Sequence, residues 1–163
     1  LAIALIFGLS PKSEARGIFA ASPHSLYINF GLARGGMALG ADYEYAIAEA
    51  HGIGGFLRFY DDDDDRGSSG DGLMTFGMFI RPHFQKQNWD FYLSPGFGVQ
   101  SIKATGSRED KTTMGPSLAI GLLYEIQSQI SIGIENMRHY VWFEDDYRGL
   151  FLDDFMFKFR MRF

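Results

Sequence analysis

Charged residues recur at alternate positions along strips that otherwise carry glycine, alanine and serine. The acids are Asp42, Glu44, Asp90, Glu125, Glu135 and Asp154; the bases are Arg58, Arg81, Lys158, Arg160 and Arg162. Three chemistries suit such a set. Carboxylates and cations can hand protons along, pass ions by exchanging partners, or lock one another in pairs. A lone charge taken out of water is prohibitively costly, so wherever these side chains leave solvent they must pair. The pattern therefore reads first as an electrostatic plug and second as an ion or proton path. His24, His51, His83 and His139 share no ligand spacing, and there is no cysteine, so neither a metal centre nor a cofactor is expected. Asp61, Asp63 and Asp65 mimic the first three ligands of a calcium loop. Arg66 then stands where that loop needs glycine, and Gly72 where it needs glutamate. The acidic run reads instead as a solvated surface loop that repels itself.

The elements that carry these charges show no helical period. Alternation of period two is present throughout. Eight strips are expected, at 24–33, 37–47, 52–60, 73–84, 89–100, 113–126, 130–143 and 150–163, divided by turn-forming clusters. Their connections alternate in character. "DDDDDRGSSGDG", "TGSREDKTT" and "FEDDYRG" are long or charged, whereas "FQKQN" and "QSQ" are short. An up-and-down meander places alternate connections at opposite ends, so the object has a loop end and a tight-turn end. A chain of 163 residues is one domain on the usual prior. Its net charge of −5 argues against a nucleic-acid partner.

One face of the strips is bulky: Leu26, Ile28 and Phe30, then Leu39, Phe76, Ile80, Phe97, Ile120 and Ile134 among others. The opposite face holds the small residues and the charges. Alternation alone fits a lipocalin-like soluble barrel as well as a membrane barrel. Volume decides between them. An eight-stranded barrel has room inside only for side chains to fill, and the apolar face is too bulky for it. Small residues with sparse charges suit a crowded lumen. At the tight-turn end the outward residues are Tyr45, Phe84, Trp89, Tyr124 and Phe163, a ring of aromatics suited to a lipid headgroup region. The expected fold is all-β: a transmembrane up-and-down antiparallel β-barrel of eight strands.

The final strip, "DDFMFKFRMRF", alternates Phe157, Phe159, Met161 and Phe163 with Lys158, Arg160 and Arg162. It resembles the signal by which the barrel assembly machinery recognises outer-membrane proteins. "SLAIGLLYEIQSQISIGIENMRHY" and "ALGADYEYAIAEAHGIGGFLRFY" resemble the hairpins of small barrels of the outer-membrane protein A, X and W kind. The resemblance implies a barrel over 24–163 in the bacterial outer membrane, a monomer among membrane lipid and lipopolysaccharide. It also implies both termini at the periplasmic rim. Residues 1–15 read as a signal-peptide remnant and 16–23 as a periplasmic segment. The expected role is structural or surface-interactive, with a closed lumen; a narrow channel or carrier is the alternative. A lipid A enzyme and a soluble binder are further readings. The deacylases among such barrels carry His-x-Ser, but His139 is followed by Tyr140 and Val141. The palmitoyl transferases carry an Asp-Ser dipeptide, which the chain lacks. No catalytic residue is therefore assigned.

If the terminal strip is an assembly signal, Phe163 serves delivery more than stability. Deleting it should leave a protein that refolds in detergent yet reaches the outer membrane poorly in cells. Normal membrane fractionation of the deletion would reduce Phe163 to a rim aromatic.

Overall fold

The computed structural model describes residues 22–33, 36–60, 72–103, 111–142 and 151–163. Their elements are β1 (His24–Ala33), β2 (Gly36–Ala48), β3 (His51–Tyr60), β4 (Gly72–Lys86), β5 (Trp89–Lys103), β6 (Lys111–Gln127), β7 (Ile130–Tyr140) and β8 (Phe151–Arg162). Each strand pairs antiparallel with the next, and β8 pairs with β1 to close the barrel. That seam runs from Ser25 opposite Arg162 to Ala33 opposite Asp154. It is extended by reciprocal backbone bonds between His24 and Phe163, at 3.2 and 3.0 Å. Among the described residues no strand is left as an edge of the sheet.

Among the described residues, two-residue turns lie at Glu49–Ala50, Gln87–Asn88 and Ser128–Gln129. Gln87 takes a φ of 56°, the left-handed conformation that tight hairpin turns demand. These turns and the seam's His24–Phe163 end lie at one rim. The acidic run at 61–65, the segment 1–15 and most of 16–23 lie outside the described residues, as do residues 143 and 150.

The strands follow the alternating strips and overrun them where backbone pairing continues past the apolar pattern. β5 and β6 extend each other through Ser101 opposite Thr112 and Ile102 opposite Lys111. β7 falls short of its expected end: it stops at Tyr140, although the Trp142 amide still donates to the Met114 carbonyl of β6 at 3.2 Å. The bulky face points outward on every strand. Ile28, Phe30, Leu39, Phe76, Ile80, Phe97, Ile120, Ile134, Phe157 and Phe159 are all exposed.

The interior corrects one expectation. It is not filled by small residues and charges alone, because Tyr27, Phe56, Tyr60, Phe79, Tyr92, Leu123, Met137 and Met156 are buried there as well. Glycines make the room. A β-carbon at Gly121 would fall onto the Tyr92 ring. One at Gly77 would lie 2.7 Å from the tip of Phe56, and one at Gly98 2.9 Å from the same atom. Glycine on one strand is thus the socket for an aromatic from another, which is how close packing is reached inside so narrow a barrel.

Gly121→Val should therefore destabilise the barrel by about 1–3 kcal/mol, the usual range for overpacking. Gly55→Ala should cost much less, since its β-carbon would meet only the Gly77 carbonyl, at 3.2 Å. Urea unfolding of the two variants in lipid vesicles compares them directly.

Candidate functional site: the lumen charge network

Because side chains alternate along each strand, Asp42 and Glu44 on β2, Arg58 on β3, Arg81 and His83 on β4, Glu135 on β7 and Lys158 on β8 all face inward. Lys158 Nζ lies 2.6 Å from Asp42 and 2.8 Å from Glu135. Arg58 pairs with Asp42 and, at 2.9 Å, with Glu135. Arg81 reaches Asp42 at 3.0 Å and Glu44 at 2.9 Å. These side chains are essentially fully buried. Neutral groups complete the shell. Tyr27 donates to Glu44 at 2.7 Å and Tyr92 to Glu135 at 2.8 Å; Asn29 donates to Asp42 at 3.0 Å. The Arg81 guanidinium also lies over the rings of Phe79, Tyr92 and Tyr27, at 4.0, 4.6 and 4.8 Å. Shared carboxylates and supporting hydroxyls are what allow so many charges to stay out of water.

A second cluster lies nearer the short turns. His83 bridges Glu44 through Nε2 (2.7 Å) and Asp90 through Nδ1 (2.9 Å). Arg160 meets Asp90 at 2.5 Å and donates to Ser131. Arg162 meets Glu125 at 3.0 Å and approaches Asp90 at 3.8 Å. Glu125 sits at the edge of this cluster, 23% exposed. Glu44 belongs to both clusters.

Toward the opposite end the lumen turns apolar. Phe79, Met137 and Met156 each stand one inward position beyond Arg81, Glu135 and Lys158. Phe79 and Met137 pack with Phe56 and Ala119; Met156 packs with Ala38 and Tyr60. Asp154 lies past this layer. Expected to pair with a cation, it instead accepts from the Tyr60 hydroxyl at 2.8 Å and the Met137 amide at 3.0 Å. Hydroxyl and amide take over because the apolar layer holds the cations away.

Ser94 accepts from Arg81 and Ser131 from Arg160 on the inward face, and His83, Tyr27 and Tyr92 join the network without having been assigned to it from the sequence. Strip parity was the available signal: Tyr27 is two residues from Asn29, Tyr92 two from Asp90, and His83 two from Arg81.

Ser117 and His139 face each other across β6 and β7, both buried. Neither the Ser117 hydroxyl nor His139 Nδ1 has a hydrogen-bond partner among the described residues.

On the outside, Tyr45, Phe84, Trp89, Tyr124 and Phe163 are exposed around the short-turn rim. Trp89 meets Tyr124 edge-on at 4.9 Å, and His24 stacks on Phe163 at 5.6 Å. Phe157, Phe159 and Met161 share that outward face, with Phe157 stacked on Phe30 across the seam at 5.6 Å.

Paired charges within, bulky apolar side chains without and a sheet lacking an edge define a barrel made for a lipid surround. The chain belongs to the outer membrane protein beta-barrel domain family, whose model matches residues 3–163. It is therefore a bacterial outer-membrane protein. No curated protein matches it. Among solved structures it resembles Neisserial surface protein A, with a TM-score of 0.68 and 14% identity over 86% of this chain and 94% of that one. The N-terminal barrel of Pseudomonas aeruginosa OprF gives a TM-score of 0.65 and 13% identity, over 85% and 96%. Ail, the attachment invasion locus protein of Yersinia pestis, gives 0.53 and 14%, over 86% and 95%. The outer membrane enzyme PagL also shares the fold, at 0.53 and 9% identity over 85% and 99%.

Glu135→Ala removes a partner from Arg58, Lys158 and Tyr92 together. Breaking a buried pair in this way should cost about 3–5 kcal/mol. Glu125→Ala should cost clearly less, because Glu125 is partly solvated and Arg162 keeps Asp90 nearby. Unfolding curves in detergent that coincide for the two variants would contradict the network described here.

Proposed function

We propose that the protein is a monomeric, non-conducting barrel with a structural or surface-interaction role in the outer membrane. The observation that carries this reading is the sequence of barriers across the lumen. Two ionic clusters share Glu44, and an apolar layer of Phe56, Phe79, Ala119 and Met137 follows them. An ion would have to break several buried pairs and then cross a constriction with nothing to solvate it. With its lumen filled, the barrel has its outer surface and its long connections left for function. The short-turn rim, where β1 begins and β8 ends, faces the periplasm, and the long connections, including the acidic run at 61–65, face outward. Phe157, Phe159, Met161 and Phe163 are the strip presented to the barrel assembly machinery. The names of two similar proteins, a surface protein and an attachment protein, accord with a surface role. Non-enzymatic function is supported by the unjoined Ser117 and His139.

A narrow channel is the second reading. It is favoured by the way Asp42 and Glu135 are each shared among Arg58, Arg81 and Lys158, since sharing makes exchange of partners conceivable. Planar-bilayer recording separates the two. The expected outcome for the purified, refolded protein is a silent membrane. Discrete, reproducible openings that track protein concentration would establish the channel and overturn the plug.

A further inference from the structure

Two prolines stand inside the wall. Pro82 lies in β4 and Pro95 in β5, both at positions that share parity with the outward residues. The ladder between these strands lapses there. It runs from Gly72 opposite Lys103 to Phe79 opposite Gly96, and resumes in the same register at His83 opposite Tyr92. Among the described residues the other ladders run unbroken, save for bulges beside the short turns. The gap spans heights of roughly 10 to 20 Å above the Gln87–Asn88 turn, at ~3.3 Å per residue and a tilt near 40°. That is within the apolar band.

The parity of the backbone bonds says why. The His83 amide donates to the Ala50 carbonyl at 2.8 Å, so the odd residues of β4 bond toward β3 and the even ones toward β5. Pro82 is even, and without an N–H it offers nothing to the Leu93 carbonyl. Pro95 likewise offers nothing to the carbonyl of Ile80. Two successive rungs of one ladder each lose a donor. Proline is ordinarily kept to edge strands for this reason, and neither β4 nor β5 is an edge. On their other flanks both strands stay paired: Arg81 lies opposite Gly52 of β3, and Ser94 opposite Ala119 of β6.

Side chains take over on the lumen side. Arg81 Nε donates to Ser94 Oγ at 2.5 Å, and the guanidinium lies over the Tyr92 ring at 4.6 Å. Just below, His83 Nδ1 meets Asp90 at 2.9 Å. The same Arg81 is anchored on β2 through Glu44 and Asp42. It therefore ties β5 to the first strands at the level where the backbone does not.

We propose that the folded barrel opens laterally between β4 and β5, with Arg81 as the latch across the lapsed rungs. Opening there brings the ionic cluster to the bilayer without parting β8 from β1. A backbone group freed in hydrocarbon finds no water, so intact rungs resist opening. The rungs that proline has already removed do not. The inference is independent of whether the lumen conducts.

Amide exchange followed residue by residue by NMR, on refolded protein in lipid nanodiscs, reads the opening, because a paired amide exchanges in proportion to the opening of its rung. Met78 and Phe97 form the rung above the gap; Leu32 and Phe155 form a rung of the closing seam equally far from the short-turn rim. Leu32 and Phe155 lie nearer their strands' ends, so the comparison is weighted against the proposal. In wild type, Met78 and Phe97 should exchange about tenfold faster, the worth of one ladder bond. Pro82→Ala with Pro95→Ala returns both donors and should bring the two rungs level. Ser94→Ala removes the latch's grip on β5 and leaves Arg81 its carboxylates. It should speed Met78 and Phe97 and leave Leu32 and Phe155 unchanged. Heat-modifiable gel migration verifies that each variant has closed, and the wild-type and Ser94→Ala comparisons stand without the alanine pair. Equal exchange at the two rungs in wild type, or a Ser94→Ala effect shared by both, would overturn the opening between β4 and β5. An alanine pair that closes yet leaves Met78 and Phe97 fast would overturn the prolines as its cause.

Discussion

The pairing of β8 with β1 is the constraint from which the rest of the molecule follows. In hydrocarbon an unpaired backbone N–H or C=O has no water to turn to, so a sheet that spans a membrane must end on itself. Closing eight strands forces a narrow interior, and a narrow interior forces the division of side chains by size. Bulky apolar groups are driven to the outside, where lipid receives them. What stays inside must either be small or interlock, as Tyr92 does over Gly121 and Phe56 does over Gly77 and Gly98. The charges are admitted on the same terms, each held by partners from other strands.

Lys158 shows how far the seam reaches. Its backbone lies in β8, opposite Asn29 of β1, yet its ammonium is held by Asp42 of β2 and Glu135 of β7. Arg58 likewise spans the lumen from β3 to Glu135. The network is therefore a set of struts between strands that are not neighbours in the sheet, added to the ladders between strands that are. His83 and Glu44 extend the struts toward the short turns, while Phe56, Phe79 and Met137 replace them with packing toward the other end.

Much of this architecture could be read in the chain before any coordinates. Alternation is a local property, and it survives folding because the barrel preserves the parity of every strand. That is why the inward placement of Asp42, Arg58, Arg81, Glu135 and Lys158 was legible. The pairs themselves were less so. Strand tilt displaces register partners by several residues around the circumference, so which cation meets which acid depends on a shear that no single strip reveals. Arg160 lies on the strand that closes onto β1, yet it meets Asp90 of β5. Tyr27, Tyr92 and Phe79 were obscured for a different reason. Residue type suggested the outer wall, parity placed them inside, and only a glycine on a facing strand showed that there was room. Asp154 was misjudged because the apolar layer between it and the cations is formed by residues from several strands at once.

The struts also bear on how the barrel can come together. In a sheet that has formed but not closed, β2 and β8 stand far apart, and Lys158 has no access to Asp42. An open intermediate therefore carries stranded charges on its concave side and a raw edge on each flank. Both defects vanish in the same event, when the last strand meets the first. Closure is thus all-or-none by construction: a half-zipped barrel keeps its electrostatic debt and gains little of the relief, which leaves few stable resting places between the open sheet and the finished cylinder.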